Sequence, residues 1–337
     1  MPFSDDLSSR PCRRGAGSTR PRAGRRAIVL CAAGVLSAWS LARAQAPVPA
    51  PAGAPQRFTV PVEGHPIAVW ARLPAAPRAT ILLIHGRTWS SRPDFDLQVP
   101  GLRRSVMQSL ADRGIAAYAV DLRGYGGTPR DASGFDTPTR AAADVVAVLK
   151  WIAARHPALD KPALLGWSNG AMVAQLVAQR SPARVSSVTL FGFTPAPEYN
   201  IPAPAEPAPK VAPKTRNTAE SAVSDFITPQ VTPPAVIKAF AVAALAADPV
   251  YAEWTDEDEW SALSAERIVV PILVIHGAND PGASPALAGQ FLAAVSSPSR
   301  SYVVLPVADH CAQLEDTHDA FISAVTEFIT RPGMVRR

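Results

Sequence analysis

Apolar and polar positions between residues 57 and 330 form two alternating kinds of segment. Short runs, several of them continuously apolar, are typical of strands buried on both faces of a parallel sheet. Longer segments with apolar residues spaced for one helical face lie between them. The predicted strands are 57–62, 66–73, 79–84, 115–120, 162–166, 185–192, 270–275 and 301–306, and the predicted helices are 100–112, 137–154, 169–180, 284–295 and 316–330. This alternation predicts an α/β fold with a mostly parallel central sheet and helices on both faces.

Residues 194–267 interrupt this alternation. Their first part, 194–214 (TPAPEYNIPAPAEPAPKVAPK), is too rich in proline for a core strand or a helix interior. Short helical patterns follow near 217–227, 233–246 and 250–265. A long insertion in a compact domain is usually a lid or a binding element, so we expect a helical lid here. For residues 200–214 a solvated, disordered loop is the favoured alternative.

The first 44 residues have a different pattern. GRRAIVLCAAGVLSAWSLARAQA runs from paired arginines through an apolar stretch to small residues around Ala44, as in a cleaved secretory signal. The apolar run of about 16 residues is shorter than the roughly 20 that a membrane span needs, although an uncleaved anchor is the alternative. We expect a signal peptide over 1–44, a Pro/Ala linker over 45–56 and export to the periplasm or the medium. The paired arginines leave both the Sec and the twin-arginine routes open.

The net positive charge of the chain comes from this leader. Removing its eight arginines and two acids from the chain's 33 basic and 28 acidic side chains leaves 25 and 26, which nearly balance. A nucleic-acid partner is therefore not expected. Cys311, the one cysteine after the leader, can form no internal disulfide. The histidines lack metal-ligand spacing and no dinucleotide-binding glycine motif opens a helix, so neither a metal nor a cofactor is expected.

The strongest chemical signal is the stretch Gly166-Trp167-Ser168-Asn169-Gly170. It joins a predicted strand to a predicted helix, and in that context it is typical of a tight turn that exposes a nucleophilic serine. Glycines are needed there because larger side chains would collide with the neighbouring strand and helix. Ser168 Oγ is therefore expected at the carboxyl end of the sheet, above the positive end of a helix dipole.

A serine hydroxyl needs a base to become an effective nucleophile. Three histidines follow Ser168 in the chain: His276, His310 and His318. His310 stands on a loop between the last predicted strand and the last predicted helix, where an imidazole can reach the sheet edge, so we assign it as the base. His276 is expected to pack at its strand terminus, and His318 to lie on the surface of the last helix.

The base in turn needs an acid that orients it. Asp280 follows the predicted strand 270–275 in HGANDPGAS, on the same sheet edge, and is the favoured acid. Asp309 is the alternative. Because it adjoins His310 in sequence, its side chain should point away from the imidazole.

Two backbone N–H groups are expected to hold the oxyanion of an acyl-transfer reaction. One belongs to Asn169, next to the nucleophile. The other belongs to the loop HGRTWSS after strand 79–84, with Arg87 as first choice and Thr88 as second. His85 in this loop is expected to hold the loop in place rather than to take part in chemistry.

Five motifs resemble those of the α/β-hydrolase superfamily, and the resemblance covers about residues 57–330. The motifs are His85-Gly86, DLRGYGGT (121–128), Gly166-Trp167-Ser168-Asn169-Gly170, HGANDP (276–281) and Asp309-His310. The resemblance implies a core over 57–193 and 268–330 and a helical cap over 194–267. It also implies Ser168, Asp280 and His310 as a catalytic triad in an enzyme similar to serine esterases and lipases. Within 121–128 it implies structural roles for Asp121, Arg123 and Gly124.

A serine nucleophile favours ester hydrolysis over dehalogenase or epoxide hydrolase chemistry, in which an aspartate takes this position. We expect hydrolysis of a carboxylic ester or lactone through an acyl-enzyme. An amidase, peptidase or perhydrolase on the same triad and a non-catalytic binding protein are the alternatives. The natural substrate and the oligomeric state stay open.

Aromatic residues near the serine and in the insertion give the only indication of the substrate class. They predict an apolar pocket for a small, uncharged substrate with an apolar or aromatic part. The alternative is that they only pack the lid against the sheet. The candidates are Trp89, Trp167, Trp254 and Trp260. The acidic run 256–259 is expected to be a solvated face, with the alternative that it disfavours anionic substrates.

Overall fold

The computed structural model describes residues 54–206 and 208–331. The predicted signal peptide and most of the predicted linker lie outside these residues. The strands are β1 (Gln56–Val62), β2 (His65–Arg72), β3 (Ala79–Ile84), β4 (Ile115–Val120), β5 (Phe135–Asp136), β6 (Ala163–Trp167), β7 (Val188–Phe191), β8 (Glu253–Trp254), β9 (Ile272–Gly277) and β10 (Arg300–Leu305). The α-helices are α1 (Ser91–Phe95), α2 (Val106–Ala111), α3 (Pro138–Arg155), α4 (Asn169–Arg180), α5 (Ala219–Val223), α6 (Pro234–Ala247), α7 (Pro285–Ala294) and α8 (His318–Ile329). No helix in this part of the chain is long and apolar enough to cross a membrane.

Eight strands form the central sheet in the order β1-β2-β4-β3-β6-β7-β9-β10. The pairs β1–β2 and β2–β4 are antiparallel, and all other neighbours in this sheet are parallel. Helices cover both faces, as β3 illustrates: Leu82 and Ile84 belong to an apolar core with α3, α4 and α7, whereas Ile81 and Leu83 belong to one with α2, α6 and α8. This architecture confirms the predicted fold class. Strands that are buried on both faces are apolar along their whole length, which explains the continuous apolar runs in the sequence.

The predicted boundaries of the sheet strands agree with the structure to within three residues at each end. The prediction missed α1 and the short parallel pair β5–β8, which are too brief to show a periodicity. The predicted helix 100–112 is shorter in the structure. It begins only at Val106, after Ser105 Oγ accepts a hydrogen bond from the Gln108 N–H at 3.0 Å and thereby caps the helix.

The insertion lies between β7 and β9 and contains α5, α6 and β8. Its Pro-rich start follows an irregular path that is held to the rest of the chain by hydrogen bonds, including Ala212 N to Ser133 O at 3.1 Å. The helix predicted over 250–265 is wrong. β8 and two short 3-10 helices, Glu257–Ala262 and Ala265–Arg267, form there instead, because β8 pairs with β5, a contact that is distant in sequence.

The turn from β6 into α4 is very tightly packed. A Cβ atom on Gly166 would lie 2.0 Å from the carbonyl oxygen of Gly170. One on Gly170 would lie 2.3 Å from the carbonyl oxygen of His85, at the end of β3. Both separations are far shorter than any van der Waals contact, so only glycine fits at either position. This packing allows α4 to begin directly beside the end of β3.

We predict that Gly170→Ala lowers the free energy of unfolding by about 2 kcal/mol or more, because the added methyl group must displace backbone. Urea denaturation measures this loss. Gly289→Ala is the matched control: Gly289 lies in α7 with no atom within 4 Å of the added Cβ. It should gain up to about 1 kcal/mol from the higher helix propensity of alanine. Equal unfolding midpoints for Gly170→Ala and the wild type would contradict the packing argument.

Candidate active site

Ser168 stands between the end of β6 and the start of α4 with φ 55° and ψ −122°. A non-glycine residue with positive φ is uncommon, and such strain is found mostly at functional sites. Its backbone is fixed on both sides. The N–H donates to Phe191 O at 2.8 Å, and the carbonyl accepts from Ala171 N at 2.9 Å. The conformation is therefore held by the neighbouring β7 strand and by α4.

His310 and Asp280 contact each other at the carboxyl ends of β9 and β10. His310 Nδ1 lies 3.0 Å from Asp280 Oδ2. With the carboxylate accepting, the hydrogen-bonded nitrogen carries the proton, and in the neutral ring Nε2 is then free to take one. Both groups are held further: the Gly282 N–H donates to Asp280 Oδ1 at 2.9 Å, and Trp167 Nε1 donates to His310 O at 2.9 Å.

The two side chains shift each other's pKa in the direction that favours the ion pair. Burial acts to lower the pKa of His310, but the hydrogen bond and negative charge of Asp280 raise it above its ordinary value. Burial acts to raise the pKa of Asp280, but the bond to His310 lowers it below its ordinary value. Asp280 thus stays ionised beside an imidazole that accepts protons more readily than usual.

Ser168 and His310 line two cavities that have parts of their walls in common. The smaller cavity has a volume of about 140 Å³ and the larger about 610 Å³. The smaller cavity is lined by Gly86, Arg87, Thr88, Trp89, Trp167, Ser168, Asp225 and His310. The larger cavity is lined by Arg87, Ser168, Asn169, Met172, Gly192, Phe193, Thr194, Tyr199, Ile201, Ile227, Glu257, Trp260, Asp280, Pro281, Gly282 and His310. Among the described residues no hydrogen bond joins Ser168 Oγ to His310, so the structure brings the two residues to common cavities without a direct bond.

The β3–α1 loop, residues 85–90, forms one wall of the smaller cavity. Buried carboxylates hold it in position. Asp94 accepts from Gly86 N at 3.1 Å, and Asp248 accepts from Ser90 N at 2.8 Å. Between these two anchors the N–H groups of Arg87 and Thr88 have no hydrogen-bond acceptor within the described part of the chain, and the same holds for Asn169 N. These are the backbone N–H groups that the sequence proposes as donors to an oxyanion.

His85 lies in the same loop, but its ring nitrogens are both occupied. Nε2 accepts from Leu122 N at 3.0 Å, so Nδ1 carries the hydrogen and donates to Gly86 O at 2.8 Å. Burial lowers the pKa of His85, which keeps the ring neutral. The ring lines neither cavity. His85 therefore connects the β3–α1 loop to the segment after β4.

The alternative bases and the alternative acid are bonded elsewhere. His276 Nε2 pairs with Phe193 O at 2.7 Å inside β9. Asp309 accepts hydrogen bonds from the backbone N–H of Cys311 and of Thr228. The expected surface position of His318 is wrong. Its ring is buried between Gln313 O and Ser109 Oγ, where α8 packs on α2, and this burial lowers its pKa to about 4.

The four tryptophans lie in different places. Trp89 and Trp167 line the smaller cavity and Trp260 the larger. Trp254 lines neither cavity, which corrects the expectation that it contacts the substrate. Its Nε1 donates to Tyr125 Oη at 2.8 Å, so it packs the insertion onto the core.

The acidic run in the insertion is not a free solvated face. Glu257 accepts two hydrogen bonds from the Arg87 guanidinium, at 2.6 and 2.9 Å, and Glu259 accepts from Thr139 N at 2.8 Å. Tyr251 Oη accepts from Arg87 Nε at 3.1 Å. An ion pair thus connects the insertion to the β3–α1 loop. The two residues are 170 positions apart, so no local sequence pattern predicts this contact.

Asp225 is a site residue that the sequence did not indicate. It follows α5 in the insertion and lines the smaller cavity, where its Oδ2 accepts from Trp89 Nε1 at 3.1 Å. Burial raises the pKa of Asp225 to about 6. No motif surrounds it in SAVSDFIT, so only the folded insertion identifies it.

A family model for serine aminopeptidase, S33, matches residues 75–317, which is more than half of the chain. The chain belongs to this family. It is an α/β-hydrolase, as its sheet order and its tight strand-to-helix turn suggested. No curated protein matches the chain.

Solved structures of hydrolases are similar to this α/β-hydrolase. A serine hydrolase involved in carbazole degradation (CarC enzyme) has TM-score 0.56 and 19% identity, covering 82% of this chain and 99% of that one. An esterase from Thermogutta terrifontis has TM-score 0.58 and 17% identity, covering 81% and 98%. An epoxide hydrolase from Vigna radiata has TM-score 0.57 and 16% identity, covering 82% and 98%. At these identities the likeness shows the fold alone.

The described residues of this hydrolase contain no group of three or more His, Cys, Asp or Glu side chains that could hold a metal ion. The side chains that line the cavities near Ser168 offer one histidine and separate carboxylates.

We predict that the imidazole of His310 titrates above its ordinary pKa of 6.5, and that Asp280→Asn lowers this pKa. The substitution removes the negative charge and leaves the burial, which disfavours the imidazolium. Histidine NMR titration measures both values. Asp319→Asn, on an exposed residue paired with Arg103, is the control and should leave the His310 titration unchanged. An unchanged pKa in Asp280→Asn would show that the carboxylate does not act on this ring.

Proposed function

We propose that this hydrolase cleaves a carboxylic ester or lactone with Ser168 as nucleophile, through an acyl-enzyme intermediate. The observation that carries the proposal is the His310–Asp280 hydrogen bond, located in the wall of the cavity into which the strained serine turn opens. An oriented imidazole that lines the same cavity as a serine hydroxyl is the arrangement that can activate a serine in acyl transfer.

In the proposed first step His310 Nε2 takes the proton of Ser168 Oγ as the oxygen attacks the carbonyl carbon. Asp280 keeps the proton on Nδ1 and stabilises the imidazolium that forms. The negative charge that develops on the carbonyl oxygen is held by the N–H of Asn169 and that of Arg87 or Thr88, which have no other acceptor among the described residues. His310 then gives its proton to the leaving alcohol.

Deacylation repeats these roles with water in place of the alcohol. His310 removes a proton from a water molecule, which attacks the acyl carbon, and then returns the proton to Ser168 Oγ. The raised pKa of His310 supports this role, because a stronger base accepts the serine proton more readily.

The larger cavity supports an uncharged substrate. Its apolar wall consists chiefly of Met172, Phe193, Tyr199, Ile201, Ile227 and Trp260. A wall of this kind binds an aliphatic or aromatic group by removing its surface from water. Two further charged side chains of this wall, Arg87 and Glu257, neutralise each other. Export of the mature protein is part of the same proposal and is supported by the apolar pattern of residues 1–44.

A second candidate is cleavage of an amide, because the matched family is described as a serine aminopeptidase. The same serine, base and acid would serve both bonds, and only the leaving group would differ. A binding protein without catalysis is the remaining alternative, and reaction of the serine separates it from both.

We predict that Ser168→Ala abolishes covalent labelling by a fluorophosphonate probe and lowers ester hydrolysis by about 10⁴-fold or more. The substitution removes the only oxygen that forms the acyl-enzyme. Ser224→Ala is the control, since Ser224 is an exposed serine of the insertion outside both cavities. If the wild-type protein takes no label while its far-UV CD spectrum is that of a folded chain, the assignment of Ser168 as nucleophile is refuted.

We also predict that p-nitrophenyl esters of short acids are hydrolysed with a kcat/KM at least about tenfold above that of the matched aminoacyl anilides. A p-nitrophenolate ion leaves more easily than the amine of an anilide, so the same serine and base should cleave the ester faster. Initial rates on matched acyl groups measure the ratio. A higher kcat/KM on the anilides would support the amide candidate instead.

A further inference from the structure

The smaller cavity and the larger cavity differ in the side of the reacting bond that they face. Four consecutive residues of the β3–α1 loop, 86–89, line the smaller cavity, and only Arg87 of that loop lines the larger. The larger cavity also contains Asp280 and Gly282, from the loop after β9. In the proposed reaction the β3–α1 loop holds the carbonyl oxygen, whereas His310, bonded to Asp280, protonates the leaving group. Asp280, which orients the base that protonates the leaving group, lines only the larger cavity, so the leaving group is assigned to the larger cavity and the acyl group to the smaller one.

Asp225 gives the smaller cavity a specific polar anchor. One carboxylate oxygen accepts from the buried Trp89 Nε1 at 3.1 Å, and the backbone carbonyl accepts from Cys311 Sγ at 3.2 Å. These two contacts hold both the side chain and the backbone of Asp225 in position. For the other oxygen, Oδ1, the described part of the chain supplies no hydrogen-bond donor. A carboxylate oxygen with no donor inside a cavity is a binding position for a donor on the substrate.

The charges around this position select a neutral donor. An anionic acyl group would face the Asp225 carboxylate at close range. An ammonium group would face His310, which lines the same cavity and becomes positively charged during the reaction. A hydroxyl group donates to a carboxylate without adding a charge to this cluster. The volume of about 140 Å³ restricts the group to a short chain.

We propose that the smaller cavity binds a short hydroxyacyl group, whose hydroxyl donates a hydrogen bond to Asp225. The natural substrate is then an ester of a small hydroxy acid with a larger, mostly apolar alcohol. This inference rests on the proposed function, since it assigns the two sides of an ester that Ser168 attacks. It makes Asp225 a specificity-determining residue that belongs to the insertion.

The test compares 1-naphthyl glycolate with 1-naphthyl propionate at about pH 8, well above the pKa of about 6 for Asp225. These esters have the same number of non-hydrogen atoms and differ by a hydroxyl in place of a methyl group. Each kcat/KM is divided by the rate constant for hydroxide-catalysed hydrolysis, which removes the difference in intrinsic reactivity. We expect the corrected ratio of glycolate to propionate to be about tenfold or more in the wild type, as a hydrogen bond to a charged acceptor provides.

In Asp225→Leu the corrected ratio should fall to about one, because the acceptor is absent. Asp225→Asn retains a neutral acceptor and should give an intermediate ratio. Both kcat/KM values in a ratio come from the same variant. A partial loss of folded protein lowers both values by the same factor and therefore leaves the ratio unchanged. Glu220→Gln is the matched control: Glu220 is an exposed acid of α5 in the same insertion, and its loss should leave the wild-type ratio unchanged.

The outcomes separate this inference from the proposed function. A wild-type ratio near one, or an unchanged ratio in Asp225→Leu, overturns the hydroxyacyl subsite while hydrolysis of the propionate ester leaves the esterase intact. A corrected kcat/KM for 1-naphthyl glycinate that exceeds the glycolate value at about pH 7, where more of the α-amino group is protonated, also overturns it, in favour of a cation site. If the wild type takes no fluorophosphonate label and hydrolyses none of these esters, the proposed function itself fails, and the subsite fails with it.

Discussion

The arrangement of the candidate site depends on the parallel register of four neighbouring strands. Trp167 of β6 pairs with Phe191 of β7, and Phe191 pairs with Ile275 of β9. Gly277, at the end of β9, pairs with Leu305 at the end of β10. Because parallel strands finish at the same edge, the segments that follow them meet there. Residues 168, 280 and 310 are distant in sequence and come to one region of the molecule for this reason.

Buried carboxylates maintain the loops at that edge. Asp94, Asp121 and Asp248 each accept at least one backbone N–H from the segment that begins at Gly86 and enters α1. Burying a carboxylate is costly unless hydrogen bonds compensate it. Burial raises the pKa of Asp248 to about 6 and that of Asp94 well above its ordinary value. Two of the groups that position the loop, Asp94 and Asp248, are thus buried where the ionised form is disfavoured.

Local pattern was sufficient for the sheet and for the turn that carries Ser168. Continuous apolar runs gave β3 and β4 with their observed boundaries, and the glycine spacing around Ser168 gave the start of α4. The sequence also proposed His310 and Asp280, since chain order and loop position limit the candidates. The buried state of His318 was not predictable, because it depends on packing between α8 and α2. Asp225 and Trp254 were missed or misassigned for the same reason: their partners belong to segments far away in the chain.

The ion pair between Arg87 and Glu257 has a consequence for how the insertion and the reaction are linked. Arg87, the first choice for an N–H donor in the proposed reaction, also holds the insertion through its side chain. Moving the insertion outward would pull on the backbone that has to align with the carbonyl oxygen. Opening for substrate entry and loss of catalytic alignment would then be one event rather than two. Since both partners are partly exposed to solvent, dissolved salt weakens this ion pair and with it the attachment of the insertion to the β3–α1 loop.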